Sequence, residues 1–168
     1  MNKCDLLDNV ELQTHGEFVK NTKSYIQVFR QTIRQVPGTW GNDPKIQMAI
    51  NTLWEVTDIG GPHIRTLLEG KLQNALSIMG LIKNEVVTIL TTVVNYSRNT
   101  GQYKKEAGAY VNDIRNMWNC LIRALIIERN LKEQDENVDR QRMISQTEFE
   151  RPKSDKKRVK KLYDQWSI

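Results

Sequence analysis

The chain has 168 residues, of which 39% are hydrophobic and 27% charged, and its net charge is +5. This size fits one domain whose core needs neither a disulfide nor a metal. The composition excludes a wholly disordered chain. The most apolar stretch, residues 75–94, is interrupted by Lys83 and Glu85, so we expect no transmembrane segment.

The first clear helix is predicted over residues 16–36, and Pro37 with Gly38 ends it. Its apolar residues follow the spacing of one helix face: Ile26, Phe29, Ile33 and Val36. A second stripe, rotated by about 100° from the first, is basic: Lys20, Lys23, Arg30 and Arg34, with Gln27 between them. Such a one-sided ridge can follow a phosphate backbone, although exposed helix faces are commonly charged.

Two further regions before residue 100 have helical periodicity. Asp43 is suited to cap a helix over residues 44–59. From residue 62 to residue 98, apolar residues continue at steps of three and four, either in one helix or in two that break near residues 80–84. The β-branched run 86–94 could form a strand, but the sequence offers it no partner strand, so we expect a buried helix.

The last third of the chain becomes increasingly charged. An apolar stripe begins at residue 102 and thins after residue 125, so residues 128–146 are predicted to be a solvated helical extension. We therefore expect an all-α protein, a bundle of four to six helices in a domain over residues 1–147. Residues 148–168 are predicted to form a linker and a basic amphipathic tail.

The sequence carries no recognisable catalytic or metal-binding motif. The two histidines, His15 and His63, lie outside any HExxH pattern, and no GxSxG, CxxC or phosphate-loop pattern occurs. We expect no enzymatic activity, no cofactor and no metal site. Cys4 and Cys120 give no ligand spacing, and we expect both to be reduced thiols in a cytoplasmic or nuclear protein.

The tail carries the strongest functional signal. Residues 151–168 hold seven bases and two acids, whereas the first 150 residues are neutral overall. The tail bases can neutralise phosphates and its aromatic residues can stack on nucleobases: Lys156, Lys157, Arg158, Lys160, Lys161, Tyr163 and Trp166. With the basic stripe of the first helix, they predict a non-enzymatic packaging, coat or accessory protein. We expect it to bind nucleic acid, RNA more than DNA, with little sequence preference, and to form a homo-oligomer.

Other interpretations of the tail remain open. Its basic cluster resembles a short nuclear localisation signal, and its apolar residues would suit a helix on a membrane surface. It could also be a solvated tail whose Trp166 folds back onto the domain. The main alternative function is a helical scaffold whose tail docks an acidic protein partner or a membrane surface. Binding by a scaffold would depend on Leu162 and Trp166 more than on the lysines, whereas binding of nucleic acid would depend on the lysines.

Overall fold

The computed structural model describes residues 9–36, 40, 42–144 and 154–168. A short 3-10 helix, Val10–Leu12, is followed by six α-helices in these ranges, and they contain no strand. The helices are α1 His15–Arg34, α2 Pro44–Val56, α3 Pro62–Glu69, α4 Leu72–Thr100, α5 Lys104–Ile144 and α6 Ser154–Trp166. The predicted all-α fold is confirmed.

The first two helices begin where local chemistry satisfies their free backbone groups. The Thr14 hydroxyl accepts a hydrogen bond from the Glu17 N–H at 3.2 Å, which caps α1. The Asp43 carboxylate accepts from the Lys45 N–H at 3.3 Å, so the predicted cap of α2 is confirmed. Both helices end within three residues of the predicted boundaries.

The predicted long helical region is two helices, and the predicted position of its break is wrong. The chain breaks at Gly70 and Lys71, between α3 and α4, while residues 80–84 continue helically. A Cβ at Gly70 would lie 2.6 Å from the Thr66 carbonyl oxygen, so the tight turn requires glycine. The run 86–94 is helical, as expected, and Gly101 ends α4 with φ of 68°.

Helix α4 occupies the centre of the bundle, packed against α2, α3, α5 and α6. Met79, Val86 and Val93 on this helix are fully buried. Within the described part of the chain, α4 alone is long and apolar enough to cross a membrane by length and composition. In the bundle, 33% of this apolar window is buried, and Leu81, Val87 and Val94 on the same helix are exposed.

Helix α5 forms the spine along which α1 runs in the opposite direction. The Tyr25 hydroxyl donates to the Met117 carbonyl at 3.0 Å, and the Tyr110 hydroxyl donates to the Ile33 carbonyl at 2.7 Å. The charged stretch after residue 128 continues α5 to Ile144, and residues 145–146 of the predicted extension lie outside the described residues. The first turn of this charged stretch is not solvated, however, because residues 128–130 are buried.

Cys120 lies half-buried on α5 and is disulfide-bonded. The expectation that both cysteines are reduced thiols is therefore wrong. Sequence spacing does not show which distant cysteines a fold brings together. Disulfides are more typical of oxidising compartments, so this residue gives no support to a cytoplasmic or nuclear location.

Candidate nucleic-acid interface

Helix α6, the predicted tail helix, packs mainly on α5 and also touches α4. Its apolar face contacts the core through the residues that the sequence places at i, i+3, i+4 and i+7: Val159, Leu162, Tyr163 and Trp166. Tyr163 and Trp166, which we expected to stack on nucleobases, are half-buried in this contact. Their placement matches the alternative interpretation, in which Trp166 folds back onto the domain.

Trp166 seats the C-terminal end of α6 in a notch on α4. A Cβ built on Gly80 would lie 2.9 Å from a Trp166 ring carbon, so the missing side chain makes room for the indole. The Trp118 indole N–H donates to the Trp166 carbonyl at 2.9 Å. The Trp166 N–H itself is buried and has no hydrogen-bond partner among the described residues.

The last residues of the chain are held by side chains of α4 and α5. The Ile168 N–H donates to the Asn119 side-chain oxygen at 2.8 Å, and the Asn119 amide donates to the Ile168 backbone oxygen at 3.2 Å. Lys83 donates to the Gln165 carbonyl at 3.1 Å. This end of α6 is therefore fixed by polar contacts as well as by packing.

The opposite side of α6 is an exposed basic face. It consists of five predicted binding residues: Lys156, Lys157, Arg158, Lys160 and Lys161. On a helical wheel their centre lies roughly 180° from the centre of the apolar face. None of the five side chains forms an ion pair or hydrogen bond with a described residue. The basic face therefore presents five bases that form no ion pair with a described residue, and one exposed carboxylate, Asp164, lies on the same side of the helix.

The basic stripe of α1 is interrupted, contrary to expectation. Lys20, Lys23 and Gln27 are exposed, but Arg30 is only 7% exposed. Arg30 donates to the Trp54 carbonyl at 3.0 Å, and its guanidinium carbon lies 3.9 Å from the centre of the Trp54 ring. Arg30 therefore joins α1 to the last turn of α2, where the helix dipole favours a cation.

Arg34 shares the same indole ring. Its guanidinium carbon lies 3.5 Å from the centre of the Trp54 ring, while the residue stays exposed. Burial lowers the pKa of Arg30, the Asp58 carboxylate raises it, and the Arg34 charge lowers it. Of the α1 bases, only Lys20 and Lys23 are thus exposed and free of an aromatic contact.

A polar corner at the α3–α4 turn, with Glu128 and Arg129 buried and His15 exposed, was not predicted. It consists of His15, Gly70, Glu128 and Arg129. Arg129, 1% exposed, donates to the Glu128 carboxylate and to the Gly70 carbonyl, the latter at 2.8 Å. His15 Nδ1 lies 2.7 Å from the other Glu128 oxygen.

A sequence signal for this corner existed. Glu128 and Arg129 continue the three- and four-residue steps of the buried Leu121, Ile122 and Leu125. Their charge caused them to be assigned to the solvated face. In the described part of the chain, no group of three or more His, Cys, Asp or Glu side chains is placed to hold a metal ion.

No protein-family model, curated protein or solved structure matches this chain. The geometry and charges of the described residues are therefore the basis for assigning a function. The most distinctive arrangement among them is the basic face of α6. The exposed α1 bases lie on another helix that also packs along α5.

Proposed function

We propose that this protein is a non-enzymatic nucleic-acid-binding protein of the packaging, coat or accessory kind, with the α6 basic face as its interface. One observation carries the proposal: five exposed bases without a described partner stand on one side of a docked helix. Lys and Arg that neutralise phosphates release counterions, which favours binding without sequence information. Weak sequence preference is therefore expected.

The exposed α1 bases, Lys20 and Lys23, are proposed as a secondary contact. Tyr163 and Trp166 are assigned to the seating of α6 and not to base stacking, because both pack against the core. RNA is proposed over duplex DNA, since a flexible single strand can adapt to one short basic helix. Self-association remains a prediction, as does a cytoplasmic or nuclear location.

The test is fluorescence anisotropy of a labelled single-stranded RNA across a range of salt concentrations. Replacing all five bases of the α6 basic face with Gln should weaken binding by roughly two orders of magnitude at low salt. The wild-type protein should lose affinity with salt at a log–log slope of up to about −5, because each phosphate neutralised by the proposed bases contributes about −0.7, and the α6 basic face accounts for about −3.5 of this slope. The five-base variant should lose most of this slope.

A matched control changes net charge by the same amount elsewhere. Five exposed bases outside α1 and α6 are replaced with Gln: Lys45, Arg65, Lys71, Lys105 and Arg123. This variant should bind RNA nearly as well as the wild type. An equal loss in the control would show that net charge, and not the α6 basic face, carries the affinity. Absence of wild-type binding at low salt would contradict the proposal.

The alternative function uses the same charges. An acidic protein partner could dock on the α6 basic face and would compete with RNA in the anisotropy assay. Insertion of Leu162 and Trp166 into a membrane would require α6 to leave its seat, since both side chains pack against the core. The structure therefore favours a polyanion that binds the bases alone.

A further inference from the structure

An open hollow of about 350 Å³ lies between the end of α4 and the first turns of α5. Six residues line this α4–α5 hollow: Val94, Ser97, Arg98, Lys104, Ala107 and Gly108. Its volume is at the lower end of the range of small-molecule sites, about 300–1,000 Å³. A Cβ added to Gly108 would meet nothing within 4 Å, so this glycine leaves the hollow open.

Two cations stand at the hollow without a counter-charge. Arg98 and Lys104 are exposed, and neither forms an ion pair or hydrogen bond with a described residue. Arg98 lies in the last turn of α4, where the helix dipole favours a positive charge. Lys104 is the first residue of α5, where the helix dipole disfavours a positive charge. An anion between the two side chains would compensate both charges.

The rest of the lining is aliphatic. Val94, Ala107 and Gly108 offer apolar surface, and no aromatic ring is among the lining residues. The Ser97 hydroxyl already donates to the Gln102 carbonyl at 2.8 Å. The lining therefore offers neither a stacking partner nor a spare hydroxyl donor to a nucleobase, and an alkyl chain fits it better.

We propose that the α4–α5 hollow binds a medium-chain carboxylate. The alkyl chain lies against Val94, Ala107 and Gly108, and the carboxylate lies between Arg98 and Lys104. Charge-assisted hydrogen bonds to the two cations give the head its affinity. The hollow shares no residue with the α6 basic face, so this site is independent of the proposed nucleic-acid interface.

The test is isothermal titration calorimetry of the full chain with sodium decanoate, below the concentration at which decanoate forms micelles. Gly108→Leu fills the hollow and should weaken binding by about tenfold or more. Gly108→Ala is the matched control, because it gives a similar gain in helix propensity with little added volume. It should bind decanoate within about threefold of the wild type.

The head group is tested separately. Replacing both Arg98 and Lys104 with Gln should weaken decanoate binding by about tenfold, and neutral decanol should bind the wild type correspondingly less tightly. The five-base α6 variant should bind decanoate like the wild type. No saturable binding by the wild type, or equal binding by Gly108→Leu, would overturn the proposal. Loss of binding in the α6 variant would also overturn it, because decanoate would then occupy the basic face.

Discussion

Gly80 shows how one residue without a side chain can decide the position of a whole helix. Glycine inside a helix costs about 1 kcal/mol relative to alanine. At Gly80 this cost is offset because the Trp166 ring occupies the space that a Cβ would take. The Trp166 indole and the Trp166 backbone carbonyl, which accepts a hydrogen bond from Trp118, then hold the end of α6 against α4 and α5.

We expect Gly80→Ala to destabilise the protein by about 1–3 kcal/mol, although alanine favours the helix. The added methyl group would lie 2.9 Å and 3.2 Å from two atoms of the rigid Trp166 ring. Urea unfolding measures the free energy, and limited trypsin digestion at the bases of α6 reports its release. Gly108→Ala, which meets no atom within 4 Å, should instead stabilise by up to about 1 kcal/mol. Equal stability of the two variants would contradict this account of the notch.

At the scale of elements, the polar corner fastens the α3–α4 turn to α5. Arg129 reaches the Gly70 carbonyl, and the Glu133 carboxylate accepts from the Leu72 N–H at 3.0 Å, at the start of α4. One turn of α5 thus satisfies backbone groups at the end of one helix and the beginning of the next. The corner fixes the direction in which α4 enters the core.

Arg129→Met should cost about 3–5 kcal/mol, because it leaves the buried Glu128 carboxylate without its guanidinium partner. The double variant Glu128→Gln with Arg129→Met removes both charges, so its loss should be clearly smaller than the sum of the single losses. A double-mutant cycle by chemical denaturation measures this coupling. Additive losses would show that the two side chains do not act as a pair.

The stability of the whole molecule should depend on pH in the alkaline range. Tyr25 and Tyr110 are buried where α1 packs on α5, and burial raises the pKa of both hydroxyls above the ordinary value of 10.0. The folded state keeps these protons when the unfolded state has lost them. The stabilisation that these two protonated hydroxyls give the fold is therefore complete below about pH 10 and is lost as the pH rises above it.

Two such groups together should reduce the free energy of unfolding by up to roughly 2–3 kcal/mol per pH unit above pH 10. Urea titrations at increasing pH measure this slope. Tyr25→Phe and Tyr110→Phe should each cost about 1 kcal/mol at neutral pH through a lost hydrogen bond, and each should reduce the alkaline slope by about half. An unchanged slope in the Phe variants would assign the alkaline loss to other groups.

The sequence predicted the fold class because apolar residues recur at helical steps in every long helix. It also predicted the Asp43 cap and the two faces of α6. It could not predict whether the apolar side of α6 faces a ligand or the core, because periodicity does not identify the partner of a face. Arg30 and Arg129 were placed in solvent for a similar reason. Their burial depends on a distant backbone carbonyl that only the tertiary structure brings close.

The seating of α6 also sets the thermodynamics of anything that binds it. Ordering a residue costs about 1–2 kcal/mol of backbone entropy, and the 13 residues of α6 lose this freedom when the chain folds. A polyanion would therefore meet a rigid rod with fixed spacing between its charges. Its association would show the small heat-capacity change of rigid-body docking, without the large negative change that accompanies coupled folding and binding.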